Sequence, residues 1–109
     1  MNLTRTEARE AVRKAAERHG FETGKVVGWT GFPDIISGEL NFTLTTEATE
    51  NTDWREGRIE EKLNITASVR KMGGSPTAEE LLKTADEIRR GAELLKELQA
   101  MDLTYTFRI

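Results

Sequence analysis

The chain has a single histidine, His19, and no cysteine. A histidine-based triad or metal site would therefore have to recruit carboxylates, and no HExxH or other spaced ligand set appears. Without cysteine there is no thiolate nucleophile, disulfide or cysteine-bound zinc. Carboxylates suited to acid–base work occur as the pairs Glu60-Glu61 and Glu79-Glu80. Sequence neighbours project to opposite faces of a strand and about 100° apart on a helix, so neither pair converges on one point. Glu79 and Glu80 fit the first turn of a helix, where negative charge is stabilising. Glu61 falls in phase with Ile59 and Leu63 on the apolar side of a strand, which places it beyond the helix cover or beside a cation; the first is preferred. No nucleophile, base and orienting group can be named together, so an enzyme is not expected, nor a cofactor or bound metal.

The residues least explained by folding are Trp29, Phe32 and Trp54, large aromatics in glycine-rich or polar stretches. Trp and Tyr dominate binding hot spots. Trp29 and Phe32 can equally plug the open end of a core. Trp54 stands between Asp53 and Arg55 at a hairpin tip and is the leading contact candidate. The expected partner-binding set is Trp54 with Asp53, Glu50, Glu47 and Glu56 around it, together with Trp29 and Phe32.

Charge supports that choice. The net charge is −3, but residues 26–57 carry one Lys/Arg against six Asp/Glu, while residues 1–25 carry six against four. The basic excess typical of nucleic-acid binding is absent. Gly28-Trp29-Thr30-Gly31 reads GxxG but lacks the basic residues with which a KH loop clamps a nucleic-acid backbone. An α-β-β-β-α order over roughly residues 4–101 resembles a double-stranded-RNA-binding domain in topology. Such domains meet phosphates through a basic start to their second helix; here that turn reads Ser75-Pro76-Thr77-Ala78-Glu79-Glu80. Nucleic acid is not the expected partner.

The elements that must position these residues follow from periodicity. Thr4 and Glu7 have capping-box spacing, Ala8, Ala11, Val12, Ala15 and Ala16 recur at helical intervals, and Gly20 ends the helix, where His19 suits the last turn. The glycines between 20 and 38 leave room for one short strand, Lys25 to Trp29. Leu40, Phe42 and Leu44 alternate with Asn41, Thr43 and Thr45 as a half-buried strand. A polar loop over 50–57 then leads to a second one, Ile59 to Val69. A long helix starting near Ser75 or Thr77 carries Leu81, Leu82, Ala85, Ile88, Ala92, Leu95, Leu98 and Met101 as its apolar stripe. Leu103, Tyr105, Phe107 and Ile109 mark a last strand.

The expected fold is a single α+β domain over residues 1–109, ordered α-β-β-β-α-β. It is a two-layer sandwich in which two helices pack on one face of an antiparallel sheet and leave a wholly polar face bare. No apolar run approaches the roughly 20 residues that span a bilayer, and the first residues lack a signal peptide's apolar stretch, so a cytoplasmic, non-membrane protein is expected. The function expected is a non-enzymatic protein-binding module. An inhibitor or adaptor of phage or mobile-element type, working through its acidic hairpin on a larger protein, is suggested by size and charge alone. The alternatives are a structural subunit that self-associates through its C-terminal strand, and a nucleic-acid-binding domain.

Overall fold

A computed structural model describes residues 3–26, 31–70 and 73–109. Helix α1 (Arg5–Arg18) starts where Thr4 and Glu7 cap each other: the Glu7 amide donates to Thr4 Oγ1 at 3.1 Å and the Thr4 amide to the Glu7 carboxylate at 3.0 Å. The reciprocal bonds satisfy two orphan amides of the first turn. His19 closes the helix, and Arg90 from a later helix donates to the His19 carbonyl at 2.9 Å.

Four strands follow before that helix: β1 (Glu22–Val26), β2 (Pro33–Ile36), β3 (Leu40–Ala48) and β4 (Arg58–Val69). Then come α2 (Ala78–Met101) and β5 (Thr104–Arg108). The order is α-β-β-β-β-α-β, which corrects the sequence expectation on two points. The one short strand expected at Lys25 to Trp29 is replaced by an antiparallel pair, β1 with β2, and its end at Trp29 lies outside the described residues. The strands also form two sheets rather than one, β1-β2 and β3-β4-β5, all antiparallel. The physical reason lies in β2. Pro33 occupies its first position, where a missing amide costs a strand least. Pro33 and Ile35 are buried while Asp34 and Ile36 face out, an alternation too short to stand out among glycines. The added strand also removes the topological likeness to a double-stranded-RNA-binding domain.

In the larger sheet β3 and β4 pair from Leu40↔Val69 to Ala48↔Glu61, and β5 pairs with β4 from Arg58↔Arg108 to Lys62↔Thr104. This register gathers Leu40, Ile59, Leu63, Ile65 and Tyr105 as buried residues and leaves Asn41, Thr43, Thr45, Thr66 and Ser68 exposed. The outer edge of β5 is met by Leu3, whose carbonyl accepts from the Thr106 amide at 3.1 Å. Ala8, Val12, Ala15 and Ala16 of α1, Leu94 and Leu98 of α2, and Phe32, Ile35, Leu63, Ile65 and Tyr105 from the strands and loops belong to one buried cluster.

The buried row of α2 is Thr84, Gly91, Leu94 and Leu98. It differs from the expected stripe, of which Leu81, Leu82, Ala85, Ala92 and Met101 are exposed. Gly91 decides this. A side chain there would run into Leu40 Cδ1 and lie 3.4 Å from the Phe42 ring, so the bare backbone is what lets the helix settle on β3. A glycine inside a helix costs about 1 kcal/mol relative to alanine, and the packing of Leu40 and Phe42 offsets it. Among the described residues no helix is long and apolar enough to cross a membrane.

Candidate protein-binding surface

The β3–β4 hairpin ends in a loop that is held shut by its own side chains. Asp53 and Arg58 exchange backbone hydrogen bonds of 2.8 and 3.0 Å, leaving Trp54, Arg55, Glu56 and Gly57 as the turn. Asp53 Oδ1 accepts from the amides of Arg55 at 3.1 Å and Glu56 at 3.2 Å, the side-chain mimicry of a backbone turn for which aspartate is favoured. Gly57 returns the chain with φ +70°, a left-handed conformation costly for other residues.

Below the turn the anchor is Glu60. Its carboxylate accepts from Thr49 Oγ1 at 2.7 Å and from Asn51 Nδ2 at 3.0 Å. Its carbonyl accepts from Thr52 Oγ1 at 2.9 Å, and that same hydroxyl accepts from the Glu60 amide at 3.1 Å. The Thr49 hydroxyl, and then Asn51, hold the Glu60 carboxyl below the usual carboxylate range. Above this bonded loop Trp54 stands 68% exposed.

Of the residues expected to bind a partner, Trp54, Glu50 and Glu56 lie exposed on this loop and Asp53 beneath Trp54 as its turn residue. Glu47 is exposed near the end of β3, opposite Lys62, whose ammonium pairs with Asp102 at 3.0 Å. Phe32 is not with them. It is 3% exposed, with its ring centroid 5.6 Å from that of Tyr105, so it belongs to the core. Trp29 lies outside the described residues. The tip is not uniformly acidic: Arg55 follows Trp54, and Arg58 stands opposite Arg108 across β4 and β5.

A second polar group went unread in the sequence. Tyr105 donates to Glu61 Oε1 at 2.7 Å, Thr46 Oγ1 donates to Glu61 Oε2 at 3.4 Å, and the Arg5 guanidinium lies 3.7 Å from the centroid of the Phe107 ring. Neither sequence reading of Glu61, beyond the helix cover or beside a cation, named its partner, the Tyr105 hydroxyl directly opposite on the adjacent strand β5. Burial, and next the Glu61 carboxylate, push the Tyr105 hydroxyl up to about 12. The signal in the sequence was Glu61 itself, an acid in an apolar phase; its register partner Tyr105 could be found only once β4 and β5 were aligned. The Tyr105 hydroxyl therefore holds its proton firmly.

Elsewhere His19 Nε2 lies 3.0 Å from Glu97, which Arg18 also reaches at 2.8 Å, an arrangement that ties the end of α1 to α2. Among the described residues no three His, Asp or Glu side chains are grouped closely enough to hold a metal ion. Comparison with known proteins gives no match: no family model, no curated protein and no solved structure is similar to this chain.

Proposed function

We propose that the chain is a non-enzymatic, cytoplasmic protein-binding module that offers the β3–β4 hairpin tip to a larger protein, with Trp54 as the central anchor and Glu47, Glu50, Asp53 and Glu56 as an acidic rim. In this reading α1 and α2 lie on one face of the larger sheet as a two-layer sandwich, and the scaffold exists to hold the hairpin. The observation that carries it is a Trp side chain 68% exposed on a loop fixed by side-chain hydrogen bonds. An exposed Trp keeps apolar surface in water that a partner can bury favourably, and a preorganised loop loses little entropy on binding, so the arrangement favours association. An inhibitor or adaptor that covers a basic site on its target fits the acidic rim.

The test is affinity capture with the full chain, followed by mass spectrometry, comparing it with Trp54→Ala and with Glu50→Lys/Glu56→Lys. Asp53 is left alone because it holds the turn. Loss of an anchor aromatic should cost about 2 kcal/mol or more, roughly thirtyfold in Kd. The partners retained by the wild-type chain should disappear from both variants at unchanged melting temperature. Retention of the same partners by Trp54→Ala would remove this reading.

A further inference from the structure

Helix α2 carries a second apolar row beside the one that meets the sheet. Ala78, Leu81, Ala85, Ile88, Ala92 and Leu95 recur at intervals of three and four, with alanine at each a position of a heptad and Leu or Ile at each d. Leu81 is 49% exposed, the three alanines are exposed, and Ile88 and Leu95 are half-buried. Helix α1 meets α2 on a different side, where Arg18 and His19 reach Glu97 and Arg90 reaches the His19 carbonyl. Leu95 packs against the buried cluster and, with Ile88 and Ala92, borders a groove shared with Leu40, Ala67 and Val69, so the row is open to solvent chiefly along Ala78, Leu81, Ala85 and Ala92.

We propose that this row is the interface with a second copy of the chain, whose α2 packs antiparallel against the first. The row is its own complement. With the two-fold axis between Asp86 and Glu87, Ala78 faces Leu95 of the other copy, Leu81 faces Ala92, and Ala85 faces Ile88. Every layer sets a large side chain against a small one, the condition for interdigitated packing without voids. A parallel pair would stack leucine on leucine and leave gaps at each alanine. Charge selects the same arrangement. The solvent flank of the row is Leu82, Arg89 and Lys96, and the antiparallel register brings Arg89 beside Leu82 of the other copy, whereas a parallel one brings it beside a second Arg89. Arg89 is already answered within its own helix by Asp86 at 3.0 Å and Glu93 at 3.2 Å, so it can lie along an interface without a new counter-ion. Leu82, 71% exposed, gains cover from the Arg89 stem. The surface is separate from the hairpin tip, and the edge of β5 has no part in it.

Sedimentation equilibrium of the full chain from micromolar to millimolar concentration tests the proposal. The wild-type chain is expected to dimerise, and Leu81→Lys/Ala85→Glu to remain monomeric with an unchanged circular dichroism spectrum, since both side chains face solvent in one copy. A wild-type monomer throughout the range, or a dimer that survives the double substitution, overturns it. Orientation is read separately, because the chain lacks cysteine. A Leu81→Cys chain mixed with an Ala92→Cys chain should oxidise to the mixed disulfide several-fold in excess of either homodisulfide, and dominance of the homodisulfides would overturn the antiparallel register.

Discussion

Glu61 and Tyr105 face each other in the register of β4 and β5, joined by a 2.7 Å hydrogen bond that adds to the effect of burial on the tyrosine's ionisation. The hydroxyl is pushed up to about 12, by burial first and by the neighbouring carboxylate next, whereas in an unfolded chain it titrates near 10. A raised acid constant means the folded state keeps its proton longer than the unfolded state does. Stability from this group is therefore full below about pH 10 and falls as the pH climbs from about 10 towards 12, by at most about 2.7 kcal/mol. Denaturant titrations across that window should show the decline, and Tyr105→Phe should flatten it while costing about 1–2 kcal/mol at neutral pH through the orphaned Glu61 oxygen. Because Tyr105 is the chain's one tyrosine, the ultraviolet absorbance of tyrosinate reports its titration directly. A midpoint near 10 in the folded protein would contradict the assignment.

The hairpin loop is the element on which the functional reading rests, and its rigidity hangs on few groups. Thr52 Oγ1 both accepts from the Glu60 amide and donates to its carbonyl. Thr52→Ala should cost about 1 kcal/mol in denaturant unfolding and speed hydrogen exchange at the amides of Thr49, Asp53 and Arg58, with α1 and α2 unchanged. Unaltered exchange in the loop would show that Thr52 does not fasten it. How far such elements can be read from residues depends on the range of the signal. The capping box of α1 and the alternation of β3 and β4 are local, so their residues announce them, as does the polar setting that brings Trp54 to the surface. The bonds from Thr49, Asn51 and Thr52 to Glu60 depend on which residues face one another across the hairpin, and that register is not local. The β1–β2 pair escaped notice because glycines hide a four-residue alternation. Phe32 is buried by contact with Tyr105, more than 70 positions away in the chain. For α2 the difficulty is different: two adjacent rows share one helical period, and only the fit of Gly91 under Leu40 tells which row the sheet takes.

At the scale of the whole molecule, the shape is elongated. The principal extents are 58 × 23 × 23 Å and the radius of gyration is 16.2 Å, against roughly 13 Å for a compact domain of this length. The first six residues of α2, Ala78 to Lys83, are all exposed. A long fold buries a smaller share of its apolar surface, and the exposed part of the row from Ala78 to Leu95 belongs to the share left over. If a second copy covers it, folding and association are linked, and stability must depend on concentration. Above the dissociation constant each tenfold increase in protein should add about 0.7 kcal/mol per chain, half of the 1.4 kcal/mol for the pair. For a domain near 100 residues that corresponds to a rise of roughly 3–5 °C in Tm. Calorimetry of the wild-type chain over two decades of concentration should show that rise, and Leu81→Lys/Ala85→Glu should melt at one temperature throughout. The two should coincide at the lowest concentration, where both are single copies. A wild-type Tm independent of concentration would mean that the exposed part of the heptad row stays in water and that the chain is an elongated monomer.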